Sequence, residues 1–416
     1  MNSEIRLLNI QKKENKVVYE YKIKGEIENY VRMDKEFFIE YEENIEAVPN
    51  SILVIPFLCN LLPIIWVTDT TLYIQEVDKD FYYSIPDFKK GYEDMYPTIS
   101  FKGNLQYEIL EDNSYKAQEK SALFFSGGVD AVSSLVTHIK EELFTITVWG
   151  ADIKVDNIVG WNRVKESIQE NAIGKANTYI KSSFRDFLKE QNLTALIYAQ
   201  SKENWWHGFQ HGIGLIGLSA PLAYIHKLKK IYIASTYTIK DKGKVTCASD
   251  PTIDNYVKMA SCCVVHDGYE FDRQNKIRNI CEYRKNTHQN IKVRVCWKAS
   301  TGENCSKCEK CIRTIMGIVA EGEDATQYGF KVDYSYIKHF LEHRCYFDKI
   351  IYPLWQDILK RFEDNKELLK NNKEIQWFYH IDFDKLNRRY QFFPKRVMRG
   401  LKRRIKKYKE EILCRN

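Results

Sequence analysis

The sequence predicts an α/β protein with a largely parallel sheet and helices on both of its faces. Three observations carry this reading. From about residue 119, short apolar strand-like runs alternate with longer helical stretches. One such run, Ala122-Leu123-Phe124-Phe125, leads straight into the glycine turn Ser126-Gly127-Gly128-Val129-Asp130. After it Val132, Leu135, Val136 and Ile139 fall at i, i+3, i+4 and i+7, the spacing of a helix with one apolar face.

Taken in order, residues 1–118 read as a β-rich accessory domain. Val17–Ile23 and Phe37–Tyr41 are rich in β-branched and aromatic residues, and Leu72–Ile74 is a weaker strand. Ser51–Val67 is apolar, but Pro56, Asn60 and Pro63 make it buried core and not a membrane span. Residues 119–320 form the α/β domain. Its expected strands are Ala122–Phe125, Phe144–Trp149, Ala195–Ala199 and Ile231–Ala234, with helical stretches at Asn162–Tyr179 and Gly212–Lys229. Ligands of such sheets bind at the carboxyl ends of the strands. That rule puts the Ser126 turn, Gly150-Ala151-Asp152 and Ser235-Thr236-Tyr237 on one rim. Residues 321–416 read as a helical extension, with helices around Tyr336–His343 and Trp355–Phe362.

Composition excludes a disordered chain, since 44% of the 416 residues are hydrophobic and 13% aromatic. The net charge of +7 is concentrated in the tail, from Lys395-Arg396 through Arg399 and Lys402-Arg403-Arg404 to Lys406-Lys407. With Val397, Leu401, Ile405 and Tyr408 interleaved, the tail reads as a solubilising terminal helix. A grip on nucleic acid or anionic lipid is the other reading. The start shows no signal-peptide pattern and the chain no long apolar run, so a cytoplasmic setting is expected.

The glycine turn aims free backbone N–H groups at one point, where a helix N-terminus adds partial positive charge; a phosphate suits such a place. No G-x-x-x-x-G-K-[ST] loop competes with it. Gly212-Ile213-Gly214-Leu215-Ile216-Gly217 spells G-x-G-x-x-G, but it follows Trp205-Trp206-His207 and no strand, so these glycines read as helix packing. Cys296, Cys305, Cys308 and Cys311 have the spacing C-x8-C-x2-C-x2-C. Four thiolates so placed converge on one ion: tetrahedral zinc is the first expectation and an iron–sulfur cluster the second. Lys307, Lys310 and Arg313 offset the thiolate charge. The other cysteines read as small buried hydrophobes.

Together the two motifs carry a resemblance over roughly residues 120–320. The turn resembles the PP-loop, S-G-G-x-D-S, of the N-type ATP pyrophosphatases. The cysteine run, ending in Cys308-Glu309-Lys310-Cys311-Ile312-Arg313-Thr314, is similar to the zinc motif of the 7-cyano-7-deazaguanine synthases, which form a nitrile in queuosine biosynthesis. The resemblance implies a doubly wound, HUP-like domain that cleaves ATP to AMP and pyrophosphate with Mg²⁺. The cleavage activates a carboxylate or carbonyl, here of a small metabolite such as a deazapurine, for attack by ammonia or another nucleophile.

On this reading Ser126, Gly127, Gly128, Val129 and Asp130 bind the phosphates, with Ser126 and Asp130 nearest the chemistry. The family's last loop serine is Ala131 here, and Ser133 or Ser134 is the candidate replacement. Asp152 is either a ribose or base contact or a plain loop aspartate, and Ser235 is a further nucleotide or substrate contact. Trp205, Trp206, His207 and His211 either line a ring pocket or belong to the core. Asp250-Pro251 and His266-Asp267-Gly268 either build a pocket or serve as turns. Arg273 and Lys276 read as solvent-facing helix residues, with phosphate contact as the alternative. An RNA- or protein-modifying enzyme and a decayed nucleotide binder are the competing functions.

Overall fold

The strands form where apolar and β-branched side chains alternate, and all those among the described residues join one sheet. The computed structural model describes residues 3–391 except 172, 174, 297–302, 346 and 349. Its strands are β1 (Glu4–Lys13), β2 (Lys16–Lys24), β3 (Phe37–Glu40), β4 (Thr71–Asp78), β5 (Asn104–Glu111), β6 (Lys120–Phe124), β7 (Glu142–Trp149), β8 (Asn177–Ser182), β9 (Lys230–Ala234), β10 (Lys258–Met259) and β11 (Cys262–Asp267). They lie in the order β10-β11-β9-β6-β7-β8-β3-β2-β1-β4-β5. The block β11-β9-β6-β7-β8 is parallel throughout. Chain order runs from β6 outward to β7 and β8, then returns to the other side of β6 with β9 and β11. The direction of winding therefore reverses between β6 and β9.

Alternation along β6 separates two cores. Ala122 and Phe124 join one cluster with Ile146, Ile180 and Ile231, while Leu123 and Phe125 join the other with Val132, Leu135 and Tyr232. Both faces of the parallel block are therefore covered, as expected for strands buried on two sides. The first 118 residues supply β1–β5. They meet the parallel block where β3 pairs antiparallel with β8, and they share the first of the two cores. Ile55–Val67 is a helix whose residues from Ile55 to Trp66 are all buried, as the reading of this run as core required.

Two expectations on the parallel block fail. Ala195–Ala199 is not a strand but part of the helix Glu190–Ser201. Leu193 and Ile197, four residues apart, are its buried positions, and Lys202 ends it in the left-handed conformation. The third parallel strand is β8, where Thr178, Ile180 and Ser182 alternate as buried positions. The helix expected over Asn162–Tyr179 accordingly runs Ile158–Asn171 and stops before that strand. Gly212–Lys229 is helical in two pieces, His211–Leu218 and Ala220–His226. Tyr334–His343 and Ile351–Asp364 are helices in the extension. No helix among the described residues is long and apolar enough to cross a membrane. The basic tail from Lys395 lies outside the described residues.

Candidate functional site

The turn after β6 sits where the winding reverses. Gly127 has φ +72°, a conformation that favours glycine, and Gly128 is the N-cap of the helix Val129–Thr137. Arg294 holds the turn from outside: its N–H donates to the Gly127 carbonyl at 2.7 Å and its Nη2 to the Ser126 carbonyl at 3.0 Å. The Gly128 N–H donates to Ser126 Oγ at 3.3 Å, and the Ser126 side is exposed. Val129 is buried in the core, so its backbone N–H is the only group it can offer an anion.

Asp130 and the cations around it dominate the electrostatics. Its carboxylate lies 3.4 Å from Arg273 Nη1 and 3.7 Å from Lys276 Nζ. Burial alone would raise its pKa, but Arg273, then Lys276, Lys310 and Arg313, outweigh burial and hold it below the ordinary value. The same burial lowers the pKa of Arg273, Lys276 and Lys310, even though Asp130 favours their charged forms. Burial likewise lowers Arg294, against the pull of Asp152 and Cys296. Five basic side chains thus crowd the glycine turn. Arg313 is paired with Glu309 at 2.7 Å. Asp130 Oδ1, Arg273 Nε and Arg294 Nε are shielded from solvent without hydrogen-bond partners among the described residues.

Arg273 and Lys276 therefore do not face solvent. They lie on the helix Arg273–Thr287, which packs across the loop helix, and the Lys276 side chain is 2% exposed. Its ammonium also donates to the Ser235 carbonyl. Ser235 is wholly buried and its hydroxyl donates to the Tyr237 carbonyl at 2.6 Å, so its backbone orients Lys276. Ser133 is buried too, and its hydroxyl accepts from Asn279 at 3.2 Å. Asp152 is exposed in the turn after β7 and faces Arg294 and Lys310. Gly150, at φ +115°, makes that turn possible, because a Cβ there would stand 1.9 Å from the Ser182 carbonyl oxygen.

Behind the loop, His138 bridges Asp267 and Glu141 at 2.8 Å each and stacks on Tyr232. Sequence reasoning missed this bridge. Its ring is raised above the ordinary value because these two bonds, Asp267 first, outweigh the lowering by burial. Asp250 caps the helix Pro251–Asp254, and His266 is buried against Asp254, so these residues do serve turns and packing. Trp205 is core, stacked on Phe209. Gly212, Gly214 and Gly217 do serve close packing: a Cβ on Gly217 would lie 2.5 Å from Cys59 Cβ.

The sulfurs of Cys296, Cys305, Cys308 and Cys311 all lie within 4.8 Å of one another. Cys296–Cys308 and Cys305–Cys311 are 3.9 Å apart. A tetrahedral ion with metal–sulfur bonds of about 2.3 Å needs sulfurs about 3.8 Å apart, so the four cysteines fit a metal such as zinc. The knuckle is local: Ser306 takes φ +54°, and the N–H groups of Lys307 and Cys308 point at Cys305 Sγ. Cys308 then caps the helix Glu309–Ala320, which carries Lys310 and Arg313 to Asp130. The metal knuckle and the glycine turn are thus parts of one region. In comparison with known proteins, no family model and no curated sequence matches the chain.

Proposed function

We propose that the chain is a PP-loop adenylating enzyme on a doubly wound sheet, cleaving ATP to AMP and pyrophosphate to activate a carboxylate for attack by ammonia or another amine. The observation that supports it most is the set of buried cations around the turn at the N-terminus of Val129–Thr137. Arg273, Lys276 and Lys310 surround a single carboxylate, Asp130, in the first turn of that helix.

In the reaction a substrate carboxylate oxygen attacks the α phosphorus, the bond to the β phosphate breaks, and pyrophosphate leaves with the electron pair. Fixed cations in a water-poor site stabilise that developing charge. The ionised Asp130 and the exposed Asp152 are donors of the kind Mg²⁺ takes, and the ion would share the leaving charge. Ala131 is buried in the core and Ser133 is turned to Asn279, so neither supplies the hydroxyl of the family loop. Lys276 and Arg273 reach the same place from the neighbouring helix.

The test is product analysis with Mg²⁺, ATP, ammonia and a panel of carboxylates that includes a 7-deazapurine acid. AMP and pyrophosphate are expected. Lys276→Met should weaken ATP binding, read by calorimetry, at least tenfold, or about 1.4 kcal/mol. Release of ADP and phosphate, or an unmoved ATP affinity in that variant, overturns the proposal.

A further inference from the structure

A line of hydrogen bonds ends on the same rim. Glu203 stands just before the segment Trp206–Gln210, and its Oε2 lies 2.8 Å from His207 Nδ1. Its other oxygen accepts from Thr246 Oγ1, also at 2.8 Å, so both oxygens of the carboxylate are engaged. The backbone of His207 is fixed as well. Its N–H donates to Asn204 Oδ1 at 2.9 Å, and its carbonyl accepts from the Ala248 N–H at 2.8 Å. Its second ring nitrogen, Nε2, lies 3.1 Å from the Tyr237 hydroxyl. Carboxylate, imidazole and phenol thus stand in series. The pair His266–Asp254 is sealed, with side chains 2% and 0% exposed, whereas the His207 side chain is 31% exposed and Tyr237 is half-buried. This line therefore opens outward.

Tyr237 stands beside the place where the winding reverses. It follows β9, which is hydrogen-bonded to β6, and the glycine turn follows β6. The crevice outside such a reversal is where a sheet of this kind takes its ligand. Ser235 Oγ donates to the Tyr237 carbonyl at 2.6 Å and stiffens the turn. The Ser235 carbonyl accepts from Lys276, whose ammonium is 3.7 Å from Asp130. Three residues after β9 therefore join the buried cations to the phenol.

Charge agrees with this geometry. Cys247 and then Glu203 outweigh burial and hold the His207 imidazole up at about 10. Burial first, then Cys247 and Glu203, push the Tyr237 phenol up, so it keeps its proton. The imidazolium donates to the phenol oxygen, and the phenol O–H is left for an acceptor outside the line. A hydroxyl that accepts from a cation is itself a stronger donor. Such a donor suits an oxygen that gains negative charge during a reaction.

We propose that Tyr237 is a catalytic residue that donates to the acyl oxygen of the adenylate while an amine attacks it, and that His207 and Glu203 are positioning residues that orient and polarise the phenol. This rests on the adenylating reading above and extends it to the second half of the reaction. The amine nitrogen attacks the acyl carbon and a C–N bond forms. The carbonyl π pair moves onto the oxygen, which accepts the Tyr237 O–H. When that pair returns, the C–O bond to phosphate breaks, AMP leaves with the electron pair, and the nitrogen gives its extra proton to water. Phenol, imidazolium and carboxylate end as they began. Attack on the α phosphorus forms no tetrahedral carbon, so the line has no part in that step.

The first experiment supplies acetyl adenylate and ammonia to the full chain, which bypasses ATP cleavage, and follows acetamide. Wild type should outpace the uncatalysed reaction, and Tyr237→Phe should be about 100-fold slower in kcat. The KM for ammonia should stay within about threefold, as expected for a contact made only in the transition state. His207→Gln removes the cation and should slow the same step about tenfold. A wild type no faster than buffer, or equal rates in wild type and Tyr237→Phe, overturns the proposal. The second experiment reads the first half-reaction alone, by exchange of labelled pyrophosphate into ATP with a panel of carboxylates. Exchange should fall by less than about threefold in either variant. A parallel loss of exchange and acetamide formation, with a lowered melting temperature, would mean that the line only ties the rim together, and overturns the proposal. If ATP yields ADP without exchange while acetamide formation still depends on Tyr237, the loop reading fails alone. If AMP and pyrophosphate form and Tyr237→Phe makes product at the wild-type rate, the loop reading stands and the phenol has no part.

Discussion

Gly127 and Gly128 look equivalent in the sequence, but their backbones are not. Gly127 lies at φ +72°, and a Cβ there meets nothing closer than 3.4 Å, so the cost of a side chain is backbone strain. Gly128 sits at φ −74°, an ordinary conformation. Gly127→Ala should therefore cost about 1–2 kcal/mol, whereas Gly128→Ala should stay within about 0.5 kcal/mol, both read by urea unfolding. Asp130→Ala leaves Arg273 and Lys276 buried without their shared carboxylate. With its side chain 18% exposed, a loss of about 2–3 kcal/mol is expected in the same assay, below the range for a fully enclosed pair. The glycines and Asp130 are legible because they are contiguous. Arg273 and Lys276 are not: their helix has a weak apolar pattern, and only its packing across Val129–Thr137 turns them inward.

Among the elements, the metal knuckle was readable because its ligands come from one short run whose spacing already encodes convergence. Metal analysis should find one ion per chain, and its spectrum should separate zinc from an iron–sulfur cluster. Cys308→Ser with Cys311→Ser should abolish binding and lower the melting temperature, because the helix Glu309–Ala320 would lose its anchor. An unchanged melting temperature on chelation would show that the ion does not hold that helix. The buttress at His138 behaves differently. The folded state raises this imidazole, so it binds its proton more tightly folded than unfolded. Its contribution to stability is complete below about pH 6.5 and is lost as pH rises through the raised folded value. The gap in melting temperature between wild type and His138→Gln should be wide at pH 6 and narrow at pH 9. Ala195–Ala199 misled as a strand because a short apolar run has no period of its own; the buried pair Leu193 and Ile197 decides for helix.

At the scale of the whole molecule, the β-rich first segment is joined to the parallel block by few backbone pairs and by much apolar surface. β3 meets β8 through Ile39–Ser182 and Glu40–Lys181, and the Tyr41 hydroxyl donates to the Leu218 carbonyl at 3.0 Å. The buried helix Ile55–Val67 packs on Gly214 and Gly217. A fragment of residues 119–416 would expose that glycine face and the edge of β8. It should therefore aggregate on expression, where the full chain stays monodisperse in light scattering. A stable, monomeric fragment would show that the shared core is dispensable.

Sequence alone was enough to specify the alternation of β and α elements, the glycine turn at the head of a helix and the four-cysteine knuckle. Each of these is written in local spacing, and backbone geometry acts over a few residues. Only the tertiary structure brought Arg273, Lys276 and Lys310 to Asp130 and ran the eleven strands of the described residues into one sheet. Those arrangements join residues more than a hundred positions apart, and what selects them is the packing of buried faces, which no short stretch of chain records.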